Sequence, residues 1–270
     1  MSTKIEWTNA TLNITSGCTQ ISAGCQNCYA KTMHERLRSM SQPKYQHDFN
    51  TIQLHPEEIT KPDTWKKPRM IFVNSMSDLF HKDIHSEFIS AALLHFGSLK
   101  RHTFQILTKR ADRLLEFTKE ISLFDNIWVG VTVESEAEME RIHYLTQIPT
   151  GVRFVSFEPL LTRIATPTLK QMICGTGAFT DQPYNTKIDW AIVGGETGHH
   201  ARSMQTQWAE EILFFCIEHK IPFFFKKHGG QDKRIAKCRT LSGRIWEQWP
   251  NIDLGKGMGY PTGKATGNTQ

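Results

Sequence analysis

The sequence predicts an α/β protein built as a partial (β/α)6 barrel of the TIM type. Parallel strands lie inside, helices lie outside, and a C-terminal extension follows. Three observations predict it. Short, almost wholly apolar runs such as Met70-Ile71-Phe72-Val73 recur along the chain, and strands buried on both faces read this way in parallel sheets. Stretches of helical composition separate them, the βαβα alternation that covers a parallel sheet with helices. At least six such units occur, and no dinucleotide-binding glycine fingerprint opens any of them, which favours a barrel over a doubly wound sheet.

The elements follow in order. Thr11 to Thr15 is a short β-prone run that leads into Ser16-Gly17-Cys18, and Tyr29 to Arg38 has helical composition. A loop punctuated by Pro43, Pro56, Pro62 and Pro68 comes next. Met70 to Val73 is a buried strand, left through Asn74-Ser75-Met76-Ser77-Asp78, and His85 to Leu99 is its helix. Thr103 to Leu107 is a strand ending in Thr108-Lys109-Arg110, with a helix from Ala111 to Glu120. Ile127 to Val133 and Glu136 to Leu145 repeat the pattern. Val152 to Phe157 ends in Glu158-Pro159, and Trp190 to Val193 ends in Gly194-Gly195-Glu196. Trp208 to His219 is a helix, and Ile221 to Phe225 is a last strand ending in Lys226-Lys227-His228. On this reading residues 1–228 form the barrel, and residues 229–270, rich in glycine and polar side chains, form the extension.

Composition excludes several classes. With 270 residues the chain buries roughly 70–75% of its unfolded surface, so it needs neither disulfides nor a metal to fold. Hydrophobic residues at 39% and charged residues at 22% exclude a disordered chain. No apolar run approaches the roughly 18–20 residues of a membrane span. The stretch Met1 to Trp7 has no apolar signal core, so a cytoplasmic location is expected.

Six cysteines stand out in such a chain. Cys18, Cys25 and Cys28 form a C-x6-C-x2-C cluster, whereas Cys174, Cys216 and Cys238 are scattered singly. Cys216 sits in an apolar helical stretch and reads as a core residue; the other two have no partner at ligand spacing. In a reducing compartment a tight cluster points to metal or redox chemistry. Two metals suit it. A structural zinc would use the three thiolates with His34 or His47 as a fourth ligand. An iron–sulfur cubane would use the three thiolates alone and leave one iron open to a small molecule. The cysteines fall in the loop of the first unit, on the barrel face where strand ends carry function. The other strand ends there are polar or charged: Asn74 and Asp78, Lys109 and Arg110, Glu134, Glu158, Glu196, and Lys226 and Lys227.

A three-cysteine loop after the first strand of a partial barrel resembles the radical S-adenosylmethionine (radical SAM) superfamily. More closely, the chain resembles a family of phages and bacteria whose function is unassigned and which carries such cysteines. The matching blocks are Gly17-Cys18 with Ser22 to Ala30, Phe72 to His81, His102 to Arg110, Arg153 to Leu161, Val193 to Gly198 and Pro222 to Lys227. Two features depart from the superfamily pattern. The first gap is six residues rather than three, and Asn27 stands before the last cysteine where an aromatic is usual, with Tyr29 on its other side.

The resemblance implies that Cys18, Cys25 and Cys28 hold a [4Fe-4S] cluster whose open iron is chelated by S-adenosylmethionine. Reductive cleavage would then yield a 5′-deoxyadenosyl radical that abstracts hydrogen from a substrate, with flavodoxin or ferredoxin as electron donor. Asn74, Ser75 and Asp78 would meet the cofactor's amino group, although Asp78 reads equally as a turn cap. Lys109 and Arg110 would meet its carboxylate, or be solvated charges opening a helix. Thr132 and Glu134 would meet the ribose. Gly194 and Gly195 would allow close backbone approach to a ligand. Glu158 and Glu196 would present catalytic carboxylates at the mouth.

The late basic run, Lys226, Lys227, Lys233, Arg234, Lys237, Arg239 and Arg244, is opposed only by Asp232 and bracketed by Phe223 to Phe225, Trp246 and Trp249. Basic residues among aromatics suit a nucleic acid or nucleotide substrate, modified or repaired; a solvated tail beside a core strand has the same composition. The competing classes are a non-enzymatic zinc-binding or nucleic-acid-binding module on a β/α barrel, and a lyase repairing damaged DNA.

Overall fold

The computed structural model describes residues 3, 5–174 and 188–251. Its centre is one seven-stranded sheet: β1 (Ala10–Leu12), β2 (Met70–Val73), β3 (Thr103–Thr108), β4 (Ile127–Thr132), β5 (Val152–Phe157), β6 (Trp190–Val193) and β7 (Phe223–Phe225). Strand order follows chain order and every pairing is parallel. Each strand run seen in the sequence supplies one strand, seven in all. It curls into an open partial barrel in which β1 and β7 are the two edges.

The helices are α1 (Tyr29–Ser39), α2 (Ser86–Ser98), α3 (Ala111–Thr118), α4 (Glu140–Leu145), α5 (Thr166–Cys174) and α6 (Thr206–Glu218). Helices α2 to α6 cover the outer face, where alternate strand residues such as Ile71, Ile106, Val129, Val155, Ala191 and Phe225 join one large core with Leu93, Leu114, Ile142 and Leu213. The opposite strand faces point inward and are filled with rings. Phe72, Trp128, Phe154, Trp190 and Phe224 pack there with Trp7, which the segment before β1 inserts from below. Trp7 lies 4.7 Å from Phe72 and 6.1 Å from Trp190, centroid to centroid. Gly130 makes room for this layer, since a Cβ there would stand 2.5 Å from the Phe154 ring. The interior is therefore solid near the strand starts and open only at their C-terminal ends.

Local differences from the sequence reading have identifiable causes. The 11–15 run breaks after Leu12 because the Asn74 carboxamide captures the amides of Ile14 and Thr15, at 2.9 and 3.2 Å. Thr15–Ser16 then pairs antiparallel with Gln53–Leu54. The stretch expected as one helix from Glu136 starts as a tight turn, capped reciprocally by Ser135 and Glu138, before α4 begins. Helix α5 was not expected. After β7, residues 229–251 fold back along its free edge: the Phe225 amide donates to the Trp246 carbonyl at 2.9 Å, and the Gln248 amide to the Phe223 carbonyl at 3.1 Å. Residues 252–270 of the expected extension lie outside the described residues. Among the described residues no helix is long and apolar enough to cross a membrane.

Candidate functional site

The open end of the barrel holds a cavity of about 470 Å³, within the range of small-molecule sites. Cys18, Cys25 and Cys28 all line it. Their loop is anchored at several points. Gly17 has φ +86°, and a Cβ there would stand 2.1 Å from the Thr51 carbonyl oxygen, so the chain can pass only as glycine. The Cys18 amide donates to the Phe49 carbonyl at 2.8 Å. Ala23–Cys25 is one tight turn, preceded by Ser22, whose hydroxyl donates to Glu134 Oε1 at 2.6 Å. Cys28 then opens α1.

The ends of β2, β3 and β4 bring charge against these thiols. Asp78 is saturated: it accepts from Thr108 Oγ1 at 2.7 Å, Arg110 Nη1 at 2.9 Å, and the amides of Phe80 and Lys109 at 3.0 and 3.1 Å. Arg110 also reaches the Thr19 carbonyl at 3.0 Å and Cys18 Sγ at 3.7 Å. Glu134 is wholly buried beneath the cavity; besides Ser22 it binds Lys109 Nζ, and Arg141 Nη1 at 2.8 Å. Burial, then the charge of Asp78, pushes the Cys18 thiol up to about 11 against the pull of Arg110. Burial opposes ionisation of Cys25 as well. There the hydrogen bond from the Ile21 backbone, the nearby Lys109 ammonium and the hydrogen bonds of Ser22 prevail, and its pKa falls below that of a free thiol. Two thiols of one loop are thus tuned in opposite directions by their neighbours.

The remaining expected residues divide. Ser75, Asp78, Lys109, Arg110, Thr132, Glu158, Gly195 and Glu196 line the cavity with the cysteines. Asn74 lines it too, but its carboxamide is engaged by Ile14, Thr15 and the Thr15 hydroxyl, and its backbone sits at φ +60°. Glu134 lies under the wall rather than in it. Gly194 and Gly195 allow close approach of the chain to itself: a Cβ on Gly195 would stand 1.8 Å from the His228 carbonyl oxygen, and one on Gly194 3.2 Å from Lys226 Cβ. Glu158 pairs with Lys226 at 2.6 Å. Glu196 is clasped by Arg202 through the backbone amide at 2.8 Å, Nε at 2.9 Å, and Nη2, and by Asn27 Nδ2 at 3.0 Å. These donors overcome the burial that would raise its pKa and hold it below the usual glutamate value.

Sequence reading missed Glu6 and Trp7 in the cavity wall, and Ser22, Arg141 and Arg202 behind it. Glu6, Trp7, Ser22 and Arg202 acquire their roles from partners far along the chain, whereas Arg141 meets Glu134 only seven positions away. The late basic run also changes character. Lys226 meets Glu158, Lys227 meets Glu6 at 3.3 Å, Arg234 meets Asp232 at 2.7 Å and Arg239 meets Glu247. Its first two lysines line the cavity.

The other cysteines stand apart. Cys216 is buried in the core, Cys174 Sγ lies 3.7 Å from His219 Nδ1, and Cys238 is outside the cavity wall. His34 directs Nε2 to the His47 carbonyl oxygen at 2.8 Å. Among the described residues no three Cys, His, Asp or Glu side chains are gathered closely enough to hold one ion. Ligands of a single zinc sit about 2.3 Å from it, hence close to one another, whereas each thiolate of a four-iron cubane binds a different iron. Three thiols facing one cavity, with Lys109 and Arg110 beside them to offset thiolate charge, fit the wider group.

Comparison with solved structures agrees with the architecture. A point mutant of spore photoproduct lyase aligns with a TM-score of 0.52 and 8% identity, over 83% of this chain and 78% of that one. Spore photoproduct lyase complexed with dinucleoside spore photoproduct aligns at a TM-score of 0.45 and 11% identity, over 80% of this chain and 62% of that one. A double mutant with bound AdoMet and dinucleoside spore photoproduct gives the same values. No curated protein matches the sequence. What the chain shares with the first of these is the fold, a parallel sheet curled into a partial barrel. The chain belongs to the family described as protein of unknown function (DUF5131), matched over residues 2–250.

Proposed function

We propose that this chain is a cytoplasmic radical SAM enzyme acting on a nucleic acid or nucleotide, with Cys18, Cys25 and Cys28 holding a [4Fe-4S] cluster. The supporting observation is that these three thiols, from the loop after β1, face the same cavity as the charged ends of β2, β3, β5, β6 and β7. When bound, the cluster and S-adenosylmethionine would supply a 5′-deoxyadenosyl radical, with a flavodoxin or ferredoxin delivering the electron. The protein's part is to bind, orient and exclude water. Lys109 and Arg110 lower the electrostatic cost of three thiolates, and Arg110 fixes the Cys18 end of the loop through Thr19. Ser75 and Thr132 offer hydroxyls on the wall to cofactor polar groups. Glu158 keeps a carboxylate at the mouth, opposite in sign to a sulfonium. Lys226 and Lys227 line the cavity in pairs with Glu158 and Glu6, and would exchange those partners for a substrate phosphate. The apolar floor of Trp7, Phe72 and Leu107 keeps water from the deep end.

Anaerobic reconstitution with iron and sulfide tests the reading. A brown protein with a charge-transfer band, an EPR signal after reduction, and 5′-deoxyadenosine release from S-adenosylmethionine is the expected result. A colourless protein that keeps one equivalent of zinc and takes no iron would overturn it. Metabolite and nucleoside profiling of a Cys28→Ala strain against wild type then identifies the substrate.

A further inference from the structure

The partial barrel is open: β1 and β7 are edges of the sheet, and no ladder joins them. The cysteine loop follows β1, while the loop 194–205 follows β6, on the other side of that opening. The two loops nevertheless meet at the mouth. Asn27 Nδ2 donates to Glu196 Oε2 at 3.0 Å and to the His200 carbonyl at 2.9 Å. Arg202 Nη2 donates to the Ala23 carbonyl at 3.0 Å, and Nη1 to Gln26 Oε1 at 3.4 Å. Glu196, whose side chain is only 4% exposed, holds the Arg202 guanidinium in place for both contacts. Both of its oxygens are engaged in doing so, which leaves it poorly suited to act on a substrate.

We propose that Asn27, Glu196 and Arg202 form a latch that closes the barrel mouth across its open side and thereby positions Cys25 and Cys28. Glu196 is then a positioning residue rather than a catalytic one, and Asn27 occupies its place between the cysteines as part of the latch. The segment it holds has little structure of its own: one three-residue turn, Ala23–Cys25, separates Ser22 from Gln26. Ser22 ties one end of that segment to Glu134, Arg202 grips the same end at Ala23, and Asn27 ties the other end to Glu196. Arg202 suits the task because its planar fork grips a carboxylate on one side while spare N–H groups reach carbonyls on the other. The thiol-positioning role rests on the iron–sulfur reading above; the latch itself does not.

Hydrogen exchange on the metal-free full-length chain tests the latch directly. In Arg202→Ala, amides of residues 23–28 should exchange about tenfold faster or more, while those of β4 and β5 keep wild-type rates. Asn27→Asp places a second carboxylate against Glu196 and should open the same segment. Adding Glu196→Gln to Asn27→Asp removes the repulsion and should restore most of the protection, a rescue that general destabilisation would not give. Iron retained after reconstitution should fall several-fold in Arg202→Ala and in Asn27→Asp, and recover when Glu196→Gln is added to Asn27→Asp. Unchanged exchange in residues 23–28, or faster exchange with full iron retention, overturns the proposal. A wild-type chain that binds no iron would instead remove the cluster reading, leaving the latch to be judged by exchange alone.

Discussion

Replacing Glu134 should show how strongly the site depends on a carboxylate that no ligand can touch. Its side chain is fully buried, with Ser22 Oγ at 2.6 Å, Arg141 Nη1 at 2.8 Å and Lys109 Nζ in contact. The Lys109 and Arg141 side chains are only 20% and 12% exposed. Glu134→Ala would leave two largely buried cations without their shared partner, which costs about 3–5 kcal/mol. Glu134→Gln keeps an acceptor for Ser22 and the shape of the side chain but loses the charge. Its cost should be about 1.5–3 kcal/mol, the worth of hydrogen bonds to charged groups. At about 2–4 °C per kcal/mol for domains approaching this size, the alanine variant should melt about 6–20 °C lower. Paired thermal and urea unfolding of the metal-free chain measures both. Adding Lys109→Met to Glu134→Ala should recover part of the loss, because one orphaned charge goes with it. A loss below about 1 kcal/mol for alanine, or no recovery in the double variant, would refute the reasoning.

Three further outcomes are expected. Gly195→Ala should destabilise by about 1–3 kcal/mol, at the upper end of overpacking, because the new methyl meets the His228 carbonyl rather than a movable side chain; urea unfolding reads it, and a neutral variant would contradict the close approach. Burial, followed by nearby cations, lowers the pKa of both His55 and His102, so each folded ring resists protonation. The unfolded chain then binds more protons as pH drops through about 6.5, and stability should fall from there until the lower folded-state values are passed. Melting temperatures between pH 8 and 5 check this, and His55→Gln should flatten part of the slope. Finally, Cys18→Ser, Cys25→Ser and Cys28→Ser should each reduce iron retained on reconstitution, whereas Cys216→Ser should not, its thiol lying in the core; iron-to-protein ratios decide it.

Most strands were legible because they are largely apolar on both faces, and that pattern survives in a single sequence. Val152–Phe157 and Trp190–Val193 coincide with the apolar runs residue for residue. The cysteine loop was legible for a similar reason: three thiols within eleven positions need no folding to be neighbours. The breaks were less so. No local signal in Thr11 to Thr15 shows that Asn74 will take two of its amides. The basic run looked almost unopposed because only Asp232 lies near it in sequence, while Glu6, Glu158 and Glu247 are brought in by the fold. Glycines 194 and 195 read as room for a ligand; that the chain after β7 also packs against them is a long-range contact that spacing does not show.

What the sequence by itself determined is the alternation of buried strands and amphipathic helices, the three thiols together, and the face on which they fall. Each follows from residues close in the chain, through periodicity or short-range spacing. Only the tertiary structure decided which charges neutralise one another, that Trp7 and its neighbours fill the barrel from below, and that Arg202 reaches Ala23 across 179 positions. Such contacts depend on how the sheet curls and which loops meet at its mouth. A carboxylate such as Glu196 is catalytic or architectural according to the partners that curvature delivers, and no local pattern records them.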